Sequence, residues 1–235
     1  NNAGFALWPD SLVRFQRDPY VLLVLALAIL IGGLGLPVWA SIGQYRLRAH
    51  HWSLHAKLTV STVAALVVGG WALFAWFEWT NQATLGHLSW WDSATNAFFH
   101  SVTPRTAGFN SLDIASLREP SRLLTEVLMF IGGGSASTAG GIKVTTFAVL
   151  GWVMWAEVRG DPDVVVFERR IPQIAQRQAL TVALLAIGLV VGATMLLLAT
   201  SGLPRADLMF EVISALATVG LSANLTPLLS TTSQL

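Results

Sequence analysis

The sequence predicts an all-α polytopic membrane protein of repeated helix–re-entrant half-helix–helix units around a pore. Three observations predict it. The 235-residue chain is 54% hydrophobic and 11% charged, whereas an ordinary soluble domain carries about 25% charged residues. A soluble chain of this length buries a core without such an excess, so lipid is the natural second solvent. Three stretches, 19–45, 58–77 and 178–204, hold no charge, and each reaches the roughly 20 apolar residues that a bilayer-spanning helix needs. Finally, a glycine turn recurs as Asn2-Ala3-Gly4-Phe5, Thr106-Ala107-Gly108-Phe109 and Thr218-Val219-Gly220-Leu221.

Taken along the chain, the first turn at Gly4 precedes the span 19–45. A linker, 46–57, then holds Arg46, Arg48 and Lys57 with no acid. The span 58–77 leads to "WWDSATNAFFHSV" (90–102), thirteen residues with helical character. Thirteen helical residues reach only about 20 Å, short of a hydrocarbon core of about 30 Å, so the segment reads as a re-entrant half-helix. "TPRTAGFNSLD" follows it. A fourth apolar region, 127–156, is interrupted by "GGGSASTAGGIK" (132–143). The linker 157–177 carries Arg159, Arg169, Arg170 and Arg177. After the span 178–204, "RADLMFEVISALA" (205–217) reads as a second half-helix ending in the Gly220 turn. The two compact basic linkers are expected on the cytoplasmic side. Trp76, Trp79, Trp90 and Trp91 then mark the outer interface, and Trp152 and Trp155 the inner one.

The spacing of the turns carries the functional argument. The three glycines lie 104 and then 112 residues apart. Phe98 and Phe210 each precede their glycine by ten residues, and Thr106 and Thr218 by two. A fixed period of this kind sets the architecture. Non-helical backbone at membrane depth must be buried in protein or line a watery cavity. Carbonyls that line such a cavity replace an ion's hydration shell, and glycine permits the dihedrals that turn them toward one axis. A half-helix aimed inward points its negative dipole end at the centre, which favours a cation. The polar turns therefore read as walls of a cation filter.

Other functions find little support. The net charge of +1 gives no basic field for nucleic acid. The 235 residues hold no cysteine, which excludes disulfides and thiolate metal sites within them. Neither HExxH nor GxSxG occurs, so no enzyme is expected. The run 131–146, "IGGGSASTAGGIKVTT", lacks the Gly-Lys-Ser/Thr of a phosphate loop. It reads instead as a broken transmembrane helix, because each glycine costs a helix about 1 kcal/mol relative to alanine. Lys143 at that depth is a functional candidate. His50, His51 and His55 read as surface or headgroup contacts, His100 as a packed residue. Glu78 and Asp92 are placed near the outer mouth, either attracting cations or simply solvated.

"NNAGF", "TPRTAGFNSLD", "GGGSASTAGGIKVTTF" and "ATVGLS" together resemble the Trk/Ktr/HKT superfamily, in particular the bacterial Trk/Ktr membrane subunit. The resemblance covers essentially the whole chain. It implies four helix–half-helix–helix units in one polypeptide, with pseudo-fourfold symmetry around one potassium pore. On that mapping, 1–56 ends the second unit, 57–170 is the third, and 171–235 opens the fourth. The natural polypeptide is then expected to hold another filter upstream of Asn1 and a spanning helix after Leu235. The resemblance implies potassium coordination by backbone carbonyls around Asn1, Asn2, Ala3 and Gly4, around Thr106, Ala107 and Gly108, and around Thr218, Val219 and Gly220. It implies a gate at Gly132, Gly133, Gly134, Gly140, Gly141 and Lys143, with Arg105 bracing the third filter. It further implies potassium as substrate with no cofactor in this chain, a homodimer, and a cytoplasmic ring of nucleotide-binding regulatory subunits docked on the basic linkers. The expected location is the inner (plasma) membrane. The alternative is a secondary transporter with broken helices carrying another cation, such as sodium; its repeats would be inverted, whereas these run in one orientation.

Overall fold

The computed structural model describes residues 4, 6, 8, 10–46 and 48–223. Asn1, Asn2 and Ala3 of the first turn lie outside the described residues.

The fold is helical. Helix α1, Pro19–Leu34, starts where Asp18 accepts hydrogen bonds from the Tyr20 and Val21 amides at 3.1 and 3.2 Å, with Pro19 in the first turn. α2 covers Leu36–Tyr45. α3, Leu54–Glu78, is capped by Ser53, whose hydroxyl accepts from the Ala56 amide. The half-helix α4 spans Trp90–Val102, the bounds expected from sequence. Ser89 caps it, accepting from the Asp92 amide at 3.2 Å and donating to the Asp92 carboxylate at 2.8 Å. α5, Glu119–Phe130, and α6, Val144–Arg159, flank the glycine-rich interruption. α7, Gln173–Ser201, precedes the half-helix α8, Arg205–Leu216. Gly160 and Gly202 end α6 and α7 in the left-handed conformation, at φ 73° and 64°. Between α6 and α7 a small antiparallel hairpin pairs β1, Val165–Val166, with β2, Arg169–Arg170.

α3 and α7 are long and apolar enough to cross a bilayer, and α1 with α2 makes a third candidate span if taken as one bent unit. This corrects the expectation of an uninterrupted crossing over 19–45. The two helices meet at 94°, because Gly35 sits at φ 86° and Pro37 lies in the first turn of α2. Trp39 Nε1 donates to the freed Ile31 carbonyl at 3.0 Å.

Each half-helix is held between two other helices: α4 packs on α1 and α3, and α8 on α5 and α7. The buried core follows these contacts. One cluster joins Leu22, Ala26 and Ile29 of α1 to Phe99 and Val102 of α4. Another joins Phe74 and Met129 to Phe210 and Ile213 of α8. Trp76, Trp90 and Trp91 are exposed at one end of the bundle, and Trp152 and Trp155 are exposed on α6.

Glu78 is not solvated as the sequence allowed, whereas Asp92 is half-exposed. Asp92 belongs to the α4 cap. Glu78 is fully buried, accepting from Ser121 Oγ at 2.5 Å and the Arg118 amide at 2.9 Å on one oxygen, and from Asn81 Nδ2 and Thr84 Oγ1, both at 2.6 Å, on the other. His100 is buried as expected, hydrogen-bonded to Thr125 at 2.9 Å and stacked on Phe74. His50 and His51 lie exposed in the linker, with Tyr45 stacked on His51.

Candidate functional site: converging glycine turns above a glycine-rich loop

Each half-helix ends in the same backbone figure. After α4, Thr106 has φ 63° and Gly108 has φ 75°; after α8, Thr218 has φ 54° and Gly220 has φ 87°. A left-handed threonine is uncommon, and here it occurs twice at equivalent places. Ala107 and Val219, between them, keep ordinary negative φ. Such alternation of positive and negative φ continues neither a helix nor a strand.

A hydroxyl one turn back pins each figure. Thr103 Oγ1 donates to the Phe109 carbonyl at 2.5 Å, and Ser214 Oγ donates to the Leu221 carbonyl at 2.6 Å. In both cases the acceptor belongs to the residue after the glycine. Glu211 adds a second tie in the last turn, accepting from Ser222 Oγ at 2.6 Å and the Ala223 amide at 2.9 Å.

The turns meet. A Cβ added at Gly4 would overlap the Ala107 carbonyl, and one at Gly108 would overlap the Val219 carbonyl. At Gly220 a Cβ would find Gly108 Cα at 3.8 Å. Residues separated by more than one hundred positions thus present backbone to backbone, with Thr106 and Ala107 buried beside them. Beyond the turns, the Leu12 amide donates to the Asn110 carbonyl at 3.0 Å, joining the segments that leave Gly4 and Gly108.

The run 132–143 lies against this cluster. Its ends are stitched together: Ile131 pairs with Ile142 in a parallel bridge, the Gly132 amide donates to Ile142 O at 2.9 Å, and the Val144 amide to Gly133 O at 3.0 Å. Lys143 Nζ donates to Ala139 O at 2.5 Å, so the ammonium closes the loop on itself. A Cβ at Gly140 would overlap Thr218 Oγ1, and a Cβ at Gly132 would overlap Gly140 O. Gly141 sits at φ 66°. Buried Arg105, just before the Gly108 turn, reaches the Ile131 carbonyl at 3.4 Å. It therefore links the turn to the mouth of the loop.

The family model for the TrkH cation transport protein matches residues 1–48 and 53–235. The chain belongs to the TrkH family. This TrkH-family chain is 42% identical over 233 residues to the Ktr system potassium uptake protein B of Bacillus subtilis, covering 98% of the chain and 52% of that protein. It is 41% identical over 230 residues to the potassium/sodium uptake protein NtpJ of Enterococcus hirae, covering 96% and 51%. The crystal structure of the potassium transporter TrkH from Vibrio parahaemolyticus superposes with a TM-score of 0.73 at 20% identity, over 93% of this chain and 47% of that one. The chain thus spans about half the length of the curated relatives it matches, and it shares their multi-pass membrane character.

Within this TrkH-family chain, the structure brings together Gly4, Thr106, Ala107, Gly108, Thr218, Val219 and Gly220, with Gly140 directly against them. Sequence reading missed Thr103 and Ser214, whose only signal is a hydroxyl residue five or six positions before a repeated glycine. It also missed Gly33 and Gly35, hidden in a charge-free run although "GGLGLP" contains both a glycine cluster and a proline.

Proposed function

We propose that the full-length protein carries potassium into the cell through a pore whose filter is lined by the carbonyls of the Gly4, Gly108 and Gly220 turns. The observation that carries this reading is the convergence of those turns, two of them with the same alternation of positive and negative φ. Buried backbone carbonyls with no side chain between them suit a desolvated monovalent cation. The half-helices α4 and α8 end at the turns, and their negative dipole ends add to the attraction.

The loop 132–143 acts as the gate below this filter, with Gly132, Gly133, Gly134, Gly140 and Gly141 giving it freedom and Lys143 placing a cation under a cation path. Arg105 holds filter and gate in register. The chain would supply the end of a second pore unit (1–56), a third (57–170) and the start of a fourth (171–235). The basic linkers, on the cytoplasmic face, would dock a ring of nucleotide-binding regulatory subunits, and the pore subunit would work as a homodimer. A second reading, uptake that also involves sodium, draws on the Enterococcus hirae relative's name.

The test is potassium uptake in potassium-starved cells expressing the full-length protein, compared with the same protein lacking residues 133–139. We expect uptake in both, faster and less dependent on the regulatory subunit in the deletion, with ion preference retained. An expressed and folded deletion with unchanged flux and regulation would reduce the loop to a packing device. Absence of any cation uptake by the intact protein would refute the pore.

A further inference from the structure

We propose that the break between α1 and α2 is the seat of the gate loop, and that Gly33, Gly35 and Leu36 are positioning residues for it. The proposal rests on the gate reading above and adds where the loop is held when it blocks the path.

Four contacts build the seat. The Gly134 amide donates to the Gly33 carbonyl at 2.8 Å, and the Leu36 amide donates to the Ala136 carbonyl at 3.3 Å. A Cβ added at Gly35 would overlap the Ser135 carbonyl, and one at Gly134 would overlap the Leu34 carbonyl. A helix break frees backbone groups that membrane depth does not tolerate unpaired. Here the freed groups of one broken helix are matched by those of the other. The match requires the 94° bend: a continuous helix over 19–45 would spend the Leu36 amide on the Gly32 carbonyl, whereas the Gly33 carbonyl faces Pro37, which has no amide to donate. Thr59 of α3, fully buried, closes the side of the seat near Gly134.

The loop is held from two sides. Gly134 to Ala136 rest on the break, while Gly140 rests against Thr218 and Ala217 at the end of α8. A loop pinned this way lies across the path beneath the glycine turns. Straightening or rotating α2 withdraws both hydrogen bonds of the seat. α2 runs directly into Arg46 and Arg48 of the basic linker, so displacement of the linker reaches the seat through one ten-residue helix.

Two variants of the full-length protein test this. The 235 residues contain no cysteine, so Leu36→Cys with Ala136→Cys, in a background with any other cysteines replaced, introduces a defined pair. A short bis-methanethiosulfonate, which forms a reducible disulfide to each cysteine and releases methanesulfinate, should cut potassium flux by about tenfold, the effect of roughly 1.4 kcal/mol on a two-state equilibrium. Reductant should restore it, and the potassium-to-sodium preference should not change. Gly35→Ala, strained at φ 86° and crowded by Ser135, should raise flux measured without the regulatory subunit. A cross-linked pair that conducts like its single-cysteine controls overturns the seat. If the 133–139 deletion still raises flux in that case, the gate reading survives alone; if the deletion changes nothing, the gate falls and the seat with it.

Discussion

Gly108 and Gly220 occupy equivalent places in the repeat but answer to different constraints. At Gly108 both the left-handed φ and the Val219 carbonyl oppose a side chain. At Gly220 the nearest atom to an added Cβ among the described residues is 3.8 Å away, and among them only the φ of 87° opposes one. A left-handed backbone costs an L-residue about 1–2 kcal/mol, which a local shift can relieve where there is space. Gly220→Ser should therefore express and conduct, with its potassium-over-sodium preference reduced by about tenfold. Gly108→Ala should lose selective uptake altogether. Rubidium uptake competed by sodium separates the two, and an equal phenotype would contradict the difference in packing. The glycines were legible from their spacing. Their inequality was not, because the atom that decides it comes from Val219, a full repeat away. Nor were the left-handed threonines legible: Thr106 and Thr218 defy their β-branched preference, and the Thr103 and Ser214 hydroxyls together with the contacts between turns accompany that conformation.

Among the elements, the half-helices were legible nearly to the residue. Ser89 with Asp92 announces the start of α4 in sequence, and proline and glycine bracket α8. The bend between α1 and α2 was lost because counting charges finds a span and does not find a break within it. Glu78 shows a different limit. Its carboxylate lies at the end of α3 and gathers donors from the following turn and from the start of α5, up to 43 residues along. It ties the end of α3 to the start of α5, and no local pattern announces the two of its four donors, the Arg118 amide and Ser121, that lie 40 and 43 residues away. Glu78→Gln replaces one acceptor oxygen by an amide that faces two donors, whichever way it is placed. Leaving buried donors unpaired costs about 1–3 kcal/mol. The variant should unfold at lower temperature in detergent, while ion preference in surviving transporters stays as it was. A change in preference without loss of stability would mean that Glu78 acts on the ion after all.

Over the whole molecule, the two basic linkers form one surface. Leu58 near the start of α3 packs with Ala156 of α6 and with Val164, Val166 and Ile171 around the hairpin, and Lys57 Nζ lies 6.0 Å from the centre of the Phe167 ring. Arg46 and Arg48 are exposed in the first linker and Arg169 in the second, whereas Arg170 is paired with Asp163 at 2.5 Å. Sequence gave each linker its charge but not their union, which depends on how α3, α6 and α7 pack. An exposed cationic face of this kind steers an acidic partner and loses its grip as salt rises. Replacing Arg46, Arg48 and Arg169 together by glutamate should leave basal uptake intact and weaken stimulation by the regulatory subunit, with the loss smaller in high salt, where the unmodified surface is already screened. Protease accessibility of the hairpin in oriented vesicles checks that the reversed charges have not inverted the topology. With topology unchanged, regulatory-subunit affinity equal to that of the parent protein at low salt would place the docking surface elsewhere. If affinity falls but the cross-linked gate still closes, the partner is coupled to the seat through α2 and is not itself the plug.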